Sequence, residues 1–316
     1  MRTLKFKNND KMPAFGLGTW KSEPGEVYNA VKVAIKAGYR HLDCAPLYGN
    51  EKEIGRALAE CIKEGIVKRS DMWITSKLWN TYHSKSDVIP VLKQSLSDLQ
   101  TTYLDLFMIH WPIALKNGVI FPQKGADLAS LDEIPLSETW EAMEEAAEKG
   151  LAKHLGVSNF GKKNLKKLIS VANIKPEMNQ VECHPYLQQE ELFSFCKSNE
   201  ILFTAYSPLG SSDRPDVFKA KDEPNLLTDS VIAEIAKSKN ATPAQILISW
   251  ALSRGMSVIP KSVNPGRIVQ NFQAQEILLS EDDIRKISKL ERGYRYVTGK
   301  FWVFEGGPYS FEDVWA

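Results

Sequence analysis

Short apolar runs alternate with longer amphipathic stretches along most of this 316-residue chain. The apolar runs are too short for helices and are bounded by turn-forming or polar residues, which is typical of buried strands. They predict eight strands, over residues 15–17, 41–42, 72–75, 104–109, 154–157, 177–181, 202–205 and 257–259.

The amphipathic stretches place apolar side chains three and four residues apart, which predicts helices. Val27, Ala30, Val31 and Ala34, for example, fall on one helical face. The predicted helices cover residues 26–36, 87–99, 138–149, 164–171, 189–198, 230–239 and 243–253, with an extra helix over 280–292. Pro90 is expected to be tolerated only in a first turn, because an interior proline lacks the amide that the helix needs.

A strand–helix unit repeated about eight times predicts a parallel sheet covered by helices. Eight units in a chain of this length favour a closed (β/α)8 TIM barrel over an open doubly wound sheet, and no Gly-x-Gly-x-x-Gly motif follows any strand. Residues 1–12 predict a hairpin that turns at residues 8–10, and residues 293–316 predict an irregular tail. Because no linker or low-complexity block interrupts the pattern, we expect residues 1–316 to form a single domain.

Composition and charge then narrow the classes of function. With 43% apolar and 25% charged residues the chain matches an ordinary soluble globular protein. A net charge of +1 provides no field that would attract nucleic acid or an anionic membrane, so neither is an expected partner.

Targeting and cysteine patterns bear on the expected compartment of the protein. The amino terminus shows no apolar signal segment, and no apolar run approaches the ~18 residues of a membrane span. The four cysteines form no Cys-x-x-Cys pair, and the histidines form no metal-binding spacing. We therefore expect a monomeric cytoplasmic protein with reduced thiols and no metal.

The chemistry of a (β/α)8 enzyme lies at the carboxyl ends of its strands. Asp43 and Tyr48 follow the second predicted strand, Lys77 ends the third and His110 ends the fourth. A tyrosine with its ordinary pKa near ~10 is a poor acid catalyst at neutral pH, and a neighbouring lysine cation lowers that pKa. An aspartate keeps the lysine charged, and a histidine orients a carbonyl oxygen. Together they predict protonation of an oxygen that becomes an alkoxide as hydride reaches carbon.

Each of these residues has an ordinary structural explanation when it is taken alone. Lys77 could be a surface lysine at a strand end, His110 a core histidine and Asp43 a loop cap. The conjunction of four complementary side chains at three adjacent strand ends is what favours a catalytic site.

The loops after the seventh and eighth predicted strands commonly form the phosphate site of such barrels. The first, residues 206–212, is rich in small and hydroxyl side chains, and its amides suit an anion nest. The second carries Lys261, Ser262 and Arg267 just before a helix, and these residue types bind phosphate. A basic surface loop is the structural alternative. Four residues at other strand ends suit a carboxamide and a flat ring: Ser158, Asn159, Gln180 and Tyr206.

Several stretches together resemble the aldo-keto reductase superfamily, in its aldose and aldehyde reductase branch. Residues 38–55 resemble the segment with the catalytic Asp and Tyr, residues 153–160 the central signature and residues 259–271 the cofactor signature. ITSKLW and IHWP supply the Lys and His, and YSPLGSSDRP resembles the loop that folds over the cofactor. The resemblance covers essentially the whole chain. It implies NADPH-dependent reduction of aldehydes, including aldoses, and of some ketones, without a metal.

The resemblance also implies roles for individual residues. Tyr48 would be the general acid, tuned by Lys77 and Asp43, and His110 would orient the carbonyl. The implied cofactor-binding residues are Thr19, Trp20, Asp43, Ser158, Asn159, Gln180, Tyr206, Ser207, Leu209, Ser211, Lys261, Ser262, Val263, Asn264, Arg267, Gln270 and Asn271.

Three positions bear on cofactor choice and reaction class. Asn264 stands where the aldose reductase branch usually has Thr, and Gln270 where it usually has Glu. The resemblance implies NADPH as the cofactor, and these two departures leave NADH as a weaker alternative. The steroid double-bond reductases of the superfamily carry Glu in place of His110, so carbonyl reduction is favoured here.

Aromatic and apolar side chains are expected to surround the carbonyl, although core packing at the barrel top is their structural alternative. The implied substrate-binding residues are Trp20, Leu47, Tyr48, Trp79, His110, Trp111, Phe121 and Trp302. The tail over residues 299–316 is rich in aromatics, which a disordered segment would lack, so we expect it to be ordered against the barrel. The resemblance implies that it lies over the substrate mouth. Lys300 and Glu305 are its candidates for contact with a polar substrate.

Two other functions stay open at this point. Channel-associated members of the superfamily share its fold and cofactor site, and an intact catalytic set does not exclude such a binding role. An unrelated barrel hydrolase or lyase would need paired carboxylates or a metal cluster at the strand ends, and the sequence offers neither.

Overall fold

The chain begins with an antiparallel hairpin in the computed structural model, which describes residues 2–316. Strands β1 (Thr3–Lys5) and β2 (Lys11–Pro13) pair, and the Asn8 side chain accepts a hydrogen bond from the Asp10 amide at 3.0 Å in the turn. The hairpin packs Phe6 against Trp73, with ring centroids 5.2 Å apart, and so covers the end of the barrel where its strands begin. The predicted hairpin is confirmed, although Met1 lies outside the described residues.

Eight parallel strands form one sheet, and a separate antiparallel pair lies outside it. In chain order the strands after the hairpin are β3 (Leu17–Gly18), β4 (His41–Asp43), β5 (Trp73–Leu78), β6 (Leu104–Ile109), β7 (Ala114–Leu115), β8 (Leu128–Ala129), β9 (Ala152–Ser158), β10 (Met178–Glu182), β11 (Leu202–Tyr206) and β12 (Ser257–Val258). The large sheet has the order β3-β4-β5-β6-β9-β10-β11-β12, so strands adjacent in sequence are adjacent in space, with only the β7–β8 pair set aside.

Parallel bridges between the two edges of this sheet close it into a barrel. Phe15 pairs with Val258 and Gly18 pairs with Lys261, and the Gly16 amide donates to the Val258 carbonyl at 3.0 Å. The predicted (β/α)8 fold is confirmed, and all eight predicted strands lie at or within a few residues of the observed ones.

Helices cover the outside of the barrel because each presents an apolar face to the strands. Within residues 2–316 they are α1 (Glu26–Ala37), α2 (Glu51–Lys63), α3 (Lys85–Asp98), α4 (Leu136–Glu148), α5 (Lys162–Val171), α6 (Glu190–Ser198), α7 (Ser230–Ser238), α8 (Pro243–Ser253), α9 (Pro265–Gln273), α10 (Glu281–Ser288) and α11 (Phe311–Val314). The predicted helices are present, with ends that differ by a few residues.

Helix α2 was not among the predicted helices, and its glycine explains part of the weak pattern. A Cβ on Gly55 would lie 2.2 Å from the Asp98 carbonyl oxygen, so only glycine permits α2 to approach the end of α3 this closely. Glycine lowers helix propensity by about 1 kcal/mol relative to alanine, so close packing here overrides local preference.

Pro90 departs from the expectation that it lies in a first turn. Helix α3 begins at Lys85, which places Pro90 at its sixth position. The helix persists because Val88, Leu92 and Leu96 are buried on its inner face, and tertiary burial outweighs the missing amide.

The carboxyl-terminal tail is ordered, as its aromatic content predicted. It contains a short 3-10 helix (Lys300–Trp302) and α11, and Trp302, Tyr309 and Val314 are buried. The Tyr309 hydroxyl donates to the Ala129 carbonyl at 2.6 Å and accepts from the Ala114 amide at 3.0 Å. The tail therefore packs on the β7–β8 pair, which the sequence pattern did not predict.

The structure also describes the cysteines and the longest apolar helices. All four cysteines are free and buried. Among residues 2–316, no helix has the length and apolar character needed to span a bilayer.

Candidate active site

A cavity of about 710 Å³ opens where the barrel strands end, on the side opposite the amino-terminal hairpin. All of the site residues predicted from the sequence line this cavity except Lys77, Trp302 and the two charged tail residues Lys300 and Glu305. The strand ends predicted to share one mouth therefore do so.

The first three residues of the predicted catalytic set form one hydrogen-bonded cluster at the cavity floor. Asp43 ends β4, Tyr48 ends a short 3-10 helix (Pro46–Tyr48), and Lys77 lies on β5. The Lys77 Nζ donates to Asp43 Oδ2 at 2.7 Å, to the Cys44 carbonyl at 3.0 Å and to Tyr48 Oη at 3.3 Å. Lys77 itself is 0% exposed, so it acts on the cavity through Tyr48 and Asp43.

Burial makes the charge state of this cluster unusual. Burial alone would lower the pKa of Lys77, but the Asp43 carboxylate and the Tyr48 oxygen outweigh it and raise that pKa, so the ammonium stays charged. The same burial raises the pKa of Tyr48 to about 12, although Lys77 lowers it. Lys77 therefore lowers this pKa, as expected, but the loss of solvent around the phenolate is the larger effect and the pKa stays above its ordinary value.

His110 lies directly after β6 and completes the floor. Its ring meets Trp79 and Tyr48 edge-on, with centroids 5.1 Å and 5.9 Å away. Burial and the nearby Lys77 cation hold the pKa of His110 well below its ordinary value, so the imidazole is neutral. A neutral imidazole keeps one N–H that a carbonyl oxygen can accept.

The strand ends of β9, β10 and β11 are joined by a second set of buried hydrogen bonds. Asn159 donates to the His110 carbonyl at 2.9 Å and accepts from the Tyr206 hydroxyl at 2.7 Å. The Gln180 amide donates to Asp43 Oδ1 at 2.7 Å, and Ser158 donates to the Gln180 carbonyl at 2.8 Å. The residues predicted to hold a carboxamide and a flat ring are thus fixed to the catalytic floor.

The loop after β11 crosses the far side of the cavity. Ser207, Gly210 and Ser211 have positive φ angles of 47°, 92° and 49°, a backbone that turns tightly over the opening. Asp213 in this loop pairs with Lys261 at 3.1 Å, and its carbonyl accepts from Lys21. Lysines that follow the neighbouring strands β3 and β12 therefore both bond to this loop.

Cationic and polar groups gather beside this loop, after β12. Lys261, Ser262 and Arg267 line the cavity together, as predicted. The Asn264 side-chain oxygen accepts from the Arg267 backbone amide at 3.0 Å and so caps helix α9, while the Asn264 NH2 group stays available to a ligand. The cations and the hydroxyl of Lys261, Ser262 and Arg267 suit an anion at this end of the cavity. The other end, near Asn159, Gln180 and Tyr206, offers side-chain amides and an aromatic ring.

The side of the cavity around Trp20, Trp79 and Trp111 is apolar, and the tail contributes to it differently from the prediction. Trp302 does not line the cavity but lies behind Trp79 and Trp111, with ring centroids 5.7 Å from each. Its neighbour Phe301 lines the cavity instead. Lys300 and Glu305, proposed to touch a polar substrate, are exposed and lie outside the lining.

Other lining residues were not named individually by the sequence reasoning, although residues 208, 212–214 and 259–260 lie in stretches that it had assigned to the cofactor. They are Gly18, Pro208, Ser212, Asp213, Arg214, Phe218, Leu227, Thr242, Pro243, Ala244, Ile259, Pro260, Tyr296, Val297, Thr298 and Phe301. The helix-start pair Thr242-Pro243 was a usable signal for part of this set. Residues 296–298 carried no such signal in the sequence. They are held beside the cavity by a residue distant in sequence, since the buried Glu182 carboxylate accepts hydrogen bonds from the Tyr296 and Val297 backbone amides at 2.7 Å and 2.8 Å.

Within residues 2–316, His, Cys, Asp and Glu side chains form no group that could hold a metal ion.

Comparison with known proteins gives matches along nearly the whole chain. Residues 13–292 match the aldo/keto reductase family. The chain is 50% identical over 315 residues to an aldo/keto reductase of Synechocystis sp., covering 100% of this chain and 96% of that protein. It is 47% identical over 292 residues to aldo-keto reductase family 1 member A1 of Gallus gallus, covering 92% and 89%. The aldose reductase structure from Schistosoma japonicum superposes with a TM-score of 0.87 at 38% identity, covering 96% of each chain.

Proposed function

The chain belongs to the aldo/keto reductase family, and from this premise we propose that it reduces aldehydes, including aldoses, and some ketones to alcohols with NADPH. Members of this family are NAD(P)H-dependent oxidoreductases, and the aldehyde and aldose reductase relatives support carbonyl reduction. The observation that carries the finer proposal is the buried Lys77 ammonium, bonded to both Asp43 and Tyr48 beneath an apolar cavity.

In this proposal Tyr48 is the general acid. At neutral pH its phenol holds a proton, because its pKa lies near 12, and it faces the cavity that would receive the carbonyl. As the carbonyl oxygen gains negative charge the phenol gives up this proton, and the Lys77 ammonium at 3.3 Å stabilises the phenolate that remains. Asp43 keeps Lys77 charged and in place, and Gln180 and Thr19 in turn hold Asp43 through its side chain and its carbonyl.

His110 has a different part in the same step. Its neutral imidazole would donate a hydrogen bond to the carbonyl oxygen and orient it toward Tyr48. Trp20, Trp79 and Trp111 would bury the rest of the substrate and exclude water from the reacting carbon.

The donor set of the cavity fits a nicotinamide dinucleotide. When bound, that cofactor supplies hydride to the carbonyl carbon. The carboxamide end would be held by Ser158, Asn159 and Gln180, and Tyr206 would stack on the ring. At the other end Lys261, Ser262 and Arg267 would bind phosphate.

The extra phosphate of NADPH is the basis of the cofactor preference. Two cations and a hydroxyl lie at the end of the cavity where an additional anion adds Coulombic attraction, so NADH is the weaker alternative. We further propose that the protein acts as a cytoplasmic monomer whose partner is a small carbonyl compound.

The test follows the loss of reduced-nicotinamide absorbance with a panel of aldehydes, aldoses and ketones. The wild type, Tyr48→Phe and a matched control, Tyr103→Phe at the opposite end of the barrel, are compared with NADPH and with NADH. We expect turnover by the wild type and the control, faster with NADPH, and loss of turnover in Tyr48→Phe while NADPH still binds. A wild type that binds NADPH and turns over no carbonyl would contradict the proposal and favour a binding protein.

A further inference from the structure

A buried carboxyl group outside the catalytic set links the element that carries Tyr48 to the strand that carries Lys77. Glu51 is the first residue of α2 and follows Tyr48 by three positions, yet it is only 4% exposed. Its Oε1 accepts a hydrogen bond of 2.6 Å from the hydroxyl of Ser76, which is 0% exposed. Ser76 directly precedes Lys77 on β5.

The segment between Tyr48 and Glu51 needs such an anchor. Gly49 takes a positive φ of 68°, and the 3-10 helix before it has no side-chain cap. Two side-chain bonds attach this segment to the barrel besides the Tyr48–Lys77 contact itself. The Asn50 amide donates to the Thr19 carbonyl at 2.8 Å, and Glu51 accepts from Ser76.

The surroundings of Glu51 hold its carboxyl group in one orientation. The hydroxyl of Ser95 on α3 also lies close enough to lower the pKa of this carboxyl group, so the group lies between α2, β5 and α3. An acidic side chain in the first turn is favoured by the helix dipole, and a hydrogen bond shielded from water is stronger than an exposed one. A shift of this group would move Tyr48 relative to Lys77.

We propose that Glu51, through Ser76, is a positioning residue that sets the contact between the Tyr48 phenol and the Lys77 ammonium. The inference rests on the proposed function, because the contact matters for catalysis only if Tyr48 delivers the proton. A misplacement of about 1 Å at a reacting group costs up to roughly 100-fold in rate, so small movements of this segment are measurable.

The first test separates positioning from packing by kinetics. Glu51→Ala and Ser76→Ala are expected to lower kcat by roughly 10- to 100-fold with little change in the KM for NADPH. Glu51→Gln keeps an oxygen for Ser76 and an amide for Ser95, and is expected to stay within about threefold of the wild type. It is a mild replacement because burial raises the pKa of Glu51 to about 7, so the carboxyl group is partly protonated near neutral pH.

Two comparisons guard against a merely structural effect. Glu53→Gln, on the same helix but bonded to the Gly25 amide instead of β5, is the matched control and is expected to leave kcat unchanged. Because Glu51→Ala and Ser76→Ala remove the same bond, the double variant is expected to lose no more than the more affected single variant. Folded alanine variants with kcat within twofold of the wild type would overturn the inference.

A second measurement does not depend on turnover. Carbon-13 labelling of the tyrosine rings gives a Tyr48 resonance that Tyr48→Phe identifies by its absence. We expect its chemical shift at neutral pH to move in Glu51→Ala and to stay in place in Glu51→Gln, because the shift is sensitive to the distance between the phenol and the Lys77 ammonium. An unchanged chemical shift in Glu51→Ala contradicts this inference, whereas absent carbonyl turnover in the wild type contradicts the proposed function.

Discussion

Replacing Lys77 by methionine removes the buried cation and keeps an unbranched side chain of similar length. The Lys77 Nζ lies 3.3 Å from Tyr48 Oη, and no other ammonium bonds to that oxygen within the described residues. The phenolate left after proton transfer would therefore lose its stabilising charge. We expect kcat for carbonyl reduction to fall steeply, with NADPH still bound.

The size of the loss follows from Coulomb's law. Two unit charges at this separation interact by about 5 kcal/mol at an effective dielectric constant of about 20. If half of the phenolate charge has developed in the transition state, about 2.5 kcal/mol is lost, which is roughly 70-fold in rate. Full development gives roughly 5000-fold, so the expected fall in kcat lies between these limits.

The assay measures kcat with a saturating aldehyde and NADPH binding by quenching of tryptophan fluorescence. The variant also leaves the Asp43 carboxylate buried without its cation, which costs about 3–5 kcal/mol of stability, so folding must be checked by circular dichroism. Lys153→Met is the matched control, because Lys153 is a half-exposed lysine near the start of β9, at the end of the barrel away from the cavity. A folded Lys77→Met variant with kcat within tenfold of the wild type would refute the electrostatic reasoning.

Four further predictions follow from other parts of the molecule. Truncation after Gly299 removes Phe301 from the cavity lining, so we expect an altered ranking of aldehyde substrates with unchanged NADPH affinity; an unaltered ranking would make the tail purely structural. Arg267→Ala is expected to raise the KM for NADPH about tenfold and that for NADH far less, and equal effects would contradict a phosphate contact. Burial lowers the pKa of His154, but bonds to Glu177 and Asp10 outweigh this and raise it. The resulting stability is full below the ordinary histidine pKa of ~6.5 and is lost as pH rises through the higher folded value, so His154→Gln should lower the Tm more at pH ~5.5 than at pH ~9. Gly55→Ala should lower the Tm by several degrees because its Cβ would overlap the Asp98 carbonyl oxygen, and an unchanged Tm would show that α2 shifts freely.

The elements that local pattern predicted best are those whose environment repeats along the chain. A barrel strand is buried on both faces, so β6 reads as an apolar run interrupted only by Asp105, and its bounds agree with the prediction. Helix α2 reads poorly because its glycine and acidic first turn serve contacts with α3 and β5 that are distant in sequence. The β7–β8 pair was missed because two residues per strand carry no periodicity.

The sequence by itself determined the barrel, the strand ends that meet at one mouth and the residue types gathered there. This was possible because alternation of short apolar runs and amphipathic helices leaves few topologies, and the (β/α)8 topology sends every strand end to the same side. Its motifs also identified the family, which the comparisons confirmed.

Tertiary structure alone decided the protonation state of Tyr48 and which aromatic residue of the tail lines the cavity. Whether Lys77 lowers the pKa of Tyr48 below its ordinary value depends on how much solvent both groups lose, and burial proved the larger effect. Which tail aromatic faces the substrate depends on how the chain packs over the β7–β8 pair, and this turned Trp302 inward and Phe301 toward the cavity. The pKa of Tyr48 and the packing of the tail both depend on the combined contacts of residues far apart in sequence, and a local sequence pattern carries no information about those contacts.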